Sequence, residues 1–221
     1  MIKFVHATNL FLHTDLAIQM FTDRADLFGR RLGWDVHVDQ VGMERDEYDT
    51  QNPIYIIDQD EDGRHLSSMR LLPTTGRTML NDHFPQICGI HEFSHPNTWE
   101  VTRFCVAPGA DRKSASRLLA AGARMMKEMS IKQFVATFGT SMKRIYRRAG
   151  VSPEVVGTGR TRHGEVNVGI WKYSSAGYQE LLLRSQTDEV ELEVDIANSD
   201  ICKRRLAHNC THVPSLLALT D

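Results

Sequence analysis

Leu16, Met20, Leu27 and Phe28 recur at helical spacing and predict a helix from Asp15 to Leu32, with Gly33 as its stop. A charged, turn-prone stretch, Val41 to Pro53, comes next. "IYIID" (54–58) reads as a short strand, "DEDGR" (60–64) as a turn, and "SSMRLL" (67–72) as the next strand, broken by "PTTG" (73–76). "TWEVTRFCV" (98–106) is aromatic, β-branched and apolar enough for a core strand. A helix is predicted from Asp111 to Met129, with Leu118, Leu119, Met125, Met126 and Met129 on its apolar face. "KQFVAT" (132–137) is a strand, "SMKRIYRRAG" (141–150) a glycine-capped helix, "EVNVGIWKY" (165–173) a strand and "SAGYQELLLRS" (175–185) a last helix. The acidic "DEVELEVD" (188–195) and the residues after it read as peripheral. Strands interleaved with helices, some with hairpin-like neighbours, predict one α/β domain around a mixed sheet. It spans residues 1–221, with about 186–221 a peripheral extension.

The strand 98–106 carries two charges that burial would penalise, Glu100 and Arg103. Regular alternation points Glu100, Thr102 and Phe104 one way and Trp99, Val101 and Arg103 the other. From this stretch alone the simpler expectation is Glu100 in a cleft and Arg103 in an ion pair on the opposite face. If both serve one site, the strand needs a β-bulge between Val101 and Arg103.

Composition narrows the classes. The apolar fraction is 41% and the charged fraction 24%, ordinary for a globular protein. The formal charge of -2 gives no global pull toward nucleic acid or anionic membranes. No run is apolar and long enough to span a bilayer, and "MIKFVHATNLFLHTD" lacks the uninterrupted core of a signal peptide, so a cytoplasmic location is expected. The scattered Cys88, Cys105, Cys202 and Cys210 suit free thiols. Cys202, His208, Cys210 and His212 match no common zinc spacing; this reads as a solvated tail, and no metal is expected. Lys143, Arg144, Arg147 and Arg148 lack the partners of a nucleic-acid motif and suit a solvated face or an acidic partner.

Several polar and aromatic residues remain out of place. Arg24 and Phe28 share a helix face, Trp34 comes just after it, Asp46 and Asp49 sit three apart, and Arg70 lies inside an apolar strand. Their order, Arg24-x3-Phe28-x5-Trp34, Glu44-x-Asp46-x2-Asp49, "RLLPTTG" from Arg70, Phe84-Pro85 and "WEVTRF", resembles the acyl-homoserine lactone synthase (autoinducer synthase) family. "RLLPTTG…ML…FP" and "WE-x-[ST]-RF" are the distinctive pieces. The likeness is close in the N-terminal half, runs through "MKRIYRRAG" and fades after about Tyr173. Ser67-Ser68 stand where many members have glycine, and Arg77 and His83 where smaller or apolar residues are frequent.

The resemblance implies a single-domain N-acetyltransferase-like α/β/α sandwich with a mixed, mostly antiparallel sheet. It implies transfer of an acyl group, usually from acyl carrier protein, to S-adenosylmethionine, then lactone closure with loss of methylthioadenosine, making a quorum-sensing signal. Both molecules are substrates, so no cofactor is implied. The implied catalytic residues are Glu100, Arg103 and Asp46, with Glu100 the base, directly or through a water. S-adenosylmethionine would meet Arg24, Phe28, Trp34, Asp46, Asp49 and Arg103, with Arg24 and Arg103 binding its carboxylate or holding the acids in place, and Arg70 ordering Asp46 or Asp49. Backbone N–H groups freed by a bulge near Thr102 would hold the oxyanion. The acyl pocket would draw on Met79, Phe84, Thr102, Phe104, Met125, Met126, Phe134 and Phe138, with Thr137 or Thr140 sensing the C3 substituent. Arg144, Arg147 and Arg148 would dock the carrier. An acyl-CoA N-acyltransferase of the same fold is the rival; its Gly-rich pyrophosphate loop is missing from "APGADRKSAS". An inactive binding homologue is the third reading, and the intact set of acids and bases argues against it.

Overall fold

The computed structural model describes residues 1–87 and 93–202. His208, Cys210 and His212, weighed above as metal ligands, lie outside the described residues, as does Cys88.

Among the described residues seven strands form one sheet in the order β1-β2-β3-β4-β5-β7-β6. They are β1 (Ile2–His6), β2 (Ile54–Gln59), β3 (His65–Pro73), β4 (Thr98–Val106), β5 (Gln133–Gly139), β6 (Glu154–Thr161) and β7 (Gly164–Lys172). Only β4 and β5 run parallel; every other neighbour is antiparallel, as expected for a mixed, mostly antiparallel sheet. The helices are α1 (Thr14–Arg24), α2 (Met79–His83), α3 (Ser114–Met129), α4 (Met142–Ala149), α5 (Ser175–Ser185) and α6 (Glu189–Ala197).

Strand alternation sorts side chains onto two faces. Ile54, Ile56, Met69, Leu71 and Phe134 pack under α3, α5 and α6 in the main core. Tyr55 and Ile57 pack instead against Leu16, Met20 and Phe21 of α1. Helix α3 approaches the sheet at Gly122, where a Cβ would come within 2.6 Å of Met69. Only glycine allows that approach without moving the methionine.

The predicted first helix extends as expected, but its last turns, Ala25–Arg31, widen into a π-helix before Gly33 ends it at φ +64. Such widened turns recur at functional sites. Two strands, β1 and β6, were not among the expected elements. β1 is a short edge strand, and β6 is an edge strand with two glycines and mostly exposed or half-buried side chains. The stretch expected to be peripheral from about residue 186 contributes α6. Leu192 and Ile196, one helical turn apart, are buried in the main core, and Asp195 accepts the Ile2 N–H at 2.7 Å. Acidic residues on its outer face masked that apolar pair.

Candidate active site

The decisive local feature is a bulge in β4. Opposite β3, Ser68 pairs with Cys105 and Arg70 with Thr102, so Arg103 and Phe104 together oppose Met69. Arg103 adopts φ +51, a left-handed conformation uncommon outside glycine. The bulge turns Arg103 onto the face of Glu100 and Thr102, while Phe104 joins Val101 against the α3 core. The simple alternation expected from the strand alone is therefore overturned, and the bulge predicted for a shared site is present.

On that face three arginines and three carboxylates close a ring. Arg103 Nη2 lies 2.8 Å from Glu44, Glu44 accepts Arg24 Nε at 2.6 Å, and Arg24 Nη2 lies 2.9 Å from Asp49. Asp49 accepts Arg70 Nη1 at 2.8 Å, Arg70 Nη2 donates to Asp46 at 2.9 Å, and Asp46 returns to Arg103 Nη2 at 2.8 Å. Each charge has an opposite on either side, which is how a buried ion becomes tolerable. Asp46 also caps the short turn Glu47–Thr50, accepting the Tyr48 and Asp49 N–H groups, while Asp49 accepts the Asp46 N–H and the Tyr55 hydroxyl. Burial works to raise the Asp49 carboxyl, but Arg24 and Arg70 outweigh it and hold it well below the usual carboxylate range.

Arg24 and Asp49 are turned inward, and Arg24 takes the second of its two expected places, holding acids. Arg24 is 1% exposed, and its Nε and both terminal nitrogens donate to Glu44 and Asp49. Arg70 is placed as expected, ordering both Asp46 and Asp49, and it also donates to Thr102 at 3.0 Å. Glu44 is the residue without an assigned role that the structure makes central. It is fully buried and joins Arg24 to Arg103. Its signal was the two-residue spacing ahead of Asp46. Arg103 keeps a terminal nitrogen outside the ring, since among the described residues its Nη1 meets only the Met79 sulfur, at 3.9 Å. Its guanidinium carbon sits 5.4 Å from the Phe28 ring centre, and Phe28 stacks on Trp34 at 5.2 Å and 16°. Trp34 is 37% exposed, so this stack faces solvent at one end.

Glu100 stands beside the ring. It is 1% exposed, and its oxygens accept the Leu80 N–H at 2.6 Å and the Met79 N–H at 3.1 Å, the first two donors of α2. Burial pushes its carboxyl up to about 7, while those two N–H groups pull it back down.

Next to Glu100 the sheet opens. Among the described residues β4 and β5 pair only from Thr98↔Gln133 to Glu100↔Val135, although both strands continue. On the α3 side of this opening lies a cavity of about 350 Å³, lined by Val101, Phe104, Met126, Phe134, Ala136 and Tyr146 among others. The residues expected to form one acyl pocket are thus divided. Phe104, Met126 and Phe134 line this cavity, and Phe138 packs edge-on against its Tyr146 wall. Met79, Phe84 and Thr102 lie on the other face, with Glu100 and Leu80. Met125 is fully buried in the main core and does not line the cavity. Thr137 lies past the last β4–β5 pair, and its buried hydroxyl has no partner among the described residues. Thr140 is exposed, and its hydroxyl donates to Glu165 at 2.6 Å.

Helix α4 joins this cavity to the surface. Tyr146 faces inward, whereas Arg144, Arg147 and Arg148 are exposed.

A family model described as "Autoinducer synthase" matches residues 7–172. The chain belongs to the autoinducer synthase family. It is 38% identical over 161 residues to an acyl-homoserine-lactone synthase of Rhizobium etli, covering 69% of this chain and 75% of that protein. It is 30% identical over 157 residues to one from Ralstonia solanacearum, covering 67% and 77%. Among solved structures, the CoA-dependent acyl-homoserine lactone synthase BjaI, with SAM and isopentyl-CoA, aligns at TM-score 0.77 and 24% identity over 84% of this chain and 89% of that one. An acyl-CoA N-acyltransferase from Pseudomonas aeruginosa shares the fold at TM-score 0.53 and 12% identity, over 77% of this chain and 99% of that one. This autoinducer synthase is accordingly an acyltransferase with a fold of the N-acetyltransferase kind. No helix among its described residues is long and apolar enough to cross a membrane.

Proposed function

We propose that this synthase joins an acyl thioester to the α-amine of S-adenosylmethionine and then closes the lactone. The observation carrying the reading is a buried carboxyl, Glu100, raised to about 7 and set beside an arginine ring where the sheet opens. Such a group is half-ionised at neutral pH, suited to taking a proton from an ammonium.

Glu100 removes one proton from the α-ammonium, directly or through a water. The amine then attacks the thioester carbonyl, and N–H groups along β4 beyond its pairing with β5 meet the oxyanion. Collapse expels the thiolate, which takes the second proton from the nitrogen as the amide forms, and the proton held by Glu100 passes to solvent. The methionyl carboxylate then attacks its own γ-carbon. The C–S bond breaks, and the sulfonium leaves as neutral methylthioadenosine.

Arg103, through Nη1, binds the methionyl carboxylate, and Asp46 fixes that guanidinium. The Phe28–Trp34 stack receives the adenine or the sulfonium. Arg24, Asp49, Arg70 and Glu44 act by holding these groups in place. The acyl tail passes through the β4–β5 opening into the cavity, and Thr137 rather than Thr140 meets the C3 substituent. The exposed arginines of α4 support acyl carrier protein as donor.

The test is mass spectrometry of the purified protein with S-adenosylmethionine and a panel of carrier-protein and CoA thioesters. N-acyl-homoserine lactone together with methylthioadenosine is expected, with carrier-bound donors turned over faster. An acylated amine without methylthioadenosine would instead identify a simple N-acyltransferase.

A further inference from the structure

Between β3 and β4 lies a polar cluster that this chemistry leaves unused. It includes Arg77 and His83, the positions where the resemblance expects smaller or apolar residues. Arg77 donates Nε at 3.0 Å and Nη2 at 2.6 Å to Asp82 Oδ2. The same oxygen accepts the Tyr48 hydroxyl at 2.9 Å. The guanidinium carbons of Arg70 and Arg77 each stand 5.5 Å from the Tyr48 ring centre. His83 lies 3.7 Å from Glu47 and edge-on to Tyr48 at 6.2 Å.

These contacts tie two elements together. Tyr48 belongs to the turn that starts at Asp46 of the arginine ring. Asp82 belongs to α2, whose Met79 and Leu80 N–H groups hold Glu100. The Tyr48 ring is buried, its hydroxyl bond to Asp82 is half-buried, and Arg77 covers that bond from the solvent side. Burial works to raise the Asp82 carboxyl, but Arg77 and Tyr48 outweigh it and hold it low, so it stays an acceptor at neutral pH.

We propose that Tyr48, Asp82 and Arg77 are positioning residues, a latch that presses the first N–H groups of α2 onto Glu100 and so sets the strength of the base. The role in catalysis rests on Glu100 being that base; the mechanical role does not. The charged groups acting on Glu100 from the packed elements are Arg70 of β3 and Asp46 of the turn, while α2 contributes its N–H donors. Around Asp82 they are Arg77, Tyr48, His83 and, through His83, Glu47. Releasing the latch weakens the two hydrogen bonds that favour the carboxylate while the ring of Tyr48 keeps the site covered, so the Glu100 carboxyl rises further.

The test is a carbon-13 NMR titration of protein labelled at glutamate Cδ, with the Glu100 signal assigned by its loss in Glu100→Gln. In Tyr48→Phe, which keeps the ring and removes one hydroxyl, the midpoint should rise by roughly half a unit to one unit. Asp82→Ala should do the same, and Arg77→Lys, which keeps a cation, should move it less. The rising limb of kcat/KM for lactone formation should shift with the midpoint, so activity lost at neutral pH returns at higher pH. A merely structural cluster would lower thermal stability and leave both midpoints alone. An unmoved or lowered Glu100 midpoint in Tyr48→Phe overturns the latch. A raised midpoint in a protein that makes no lactone from any donor upholds the latch and removes the base reading instead.

Discussion

On one face of β3, β4 and β5 buried arginines and carboxylates hold one another; on the other, aromatic and apolar side chains leave about 350 Å³ open. The same strands build both. Arg70, Glu100 and Thr102 point one way, and Met69, Leu71, Val101 and Phe134 the other. On the proposed function the difference separates two tasks. Placing a charged substrate needs donors whose geometry is fixed in advance. Accommodating an acyl tail needs room and apolar contact, and tolerates variation in fit.

The largest effect should come from breaking the charged face at Glu100, the proposed base. Glu100→Gln should lower turnover by about 100- to 10,000-fold while adenosylmethionine binding, read by calorimetry, stays near that of the unaltered protein. Full affinity with near-normal turnover would remove Glu100 from the reaction. The same residue gives the face a pH signature. In the unaltered enzyme, kcat/KM should rise with pH through about 7, where Glu100 loses its proton, and Glu100→Gln should lack that limb. Stability runs the other way. A carboxyl raised on folding keeps its proton where the unfolded chain has lost it, so stability falls as pH climbs from the ordinary carboxylate range to about 7. Urea melts of the two proteins across that window should converge at low pH and favour Glu100→Gln at high pH.

Next comes the ring itself. Arg70→Ala leaves Asp46 and Asp49 short of a buried partner and should cost about 3–5 kcal/mol in chemical denaturation. An equal change on the cavity face should read differently. Ala136→Phe fills space at the β4–β5 opening. It should cost about 1–3 kcal/mol in stability and suppress long-chain thioesters far more than short ones in a donor panel. If long and short donors fell together, the cavity would not be the tail's route. The mildest change is at the exposed end of the stack. Trp34→Ala should raise KM for adenosylmethionine by about 5- to 30-fold with little change in melting temperature.

The two faces were unequally legible in the sequence. The charged set was found because a charge inside an apolar strand is conspicuous, as with Arg70 and Glu100. What stayed hidden was direction. Nothing in "WEVTRF" says where alternation breaks, because the bulge at Arg103 arises from the pairing of β4 with β3. The residues expected to line the acyl pocket were mixed for a related reason. Met79, Phe84 and Met126 are equally apolar as letters, and only the fold assigns the first two to the side of Glu100. β6 escaped because an edge strand need not alternate, and α6 because its acidic residues outnumber its two core contacts.

The closed ring also has a genetic consequence. Each of its six members, Arg24, Glu44, Asp46, Asp49, Arg70 and Arg103, answers to two neighbours of opposite sign. A chain can leave this arrangement only by changing several codons together, because any single step strands a charge. In a saturation library these positions should behave as one block, with pairs such as Arg24→Met and Glu44→Gln less damaging together than their separate costs predict. Among related chains the ring should therefore behave as an epistatic lock, inherited whole, while the cavity wall on the other face of the sheet should drift one residue at a time.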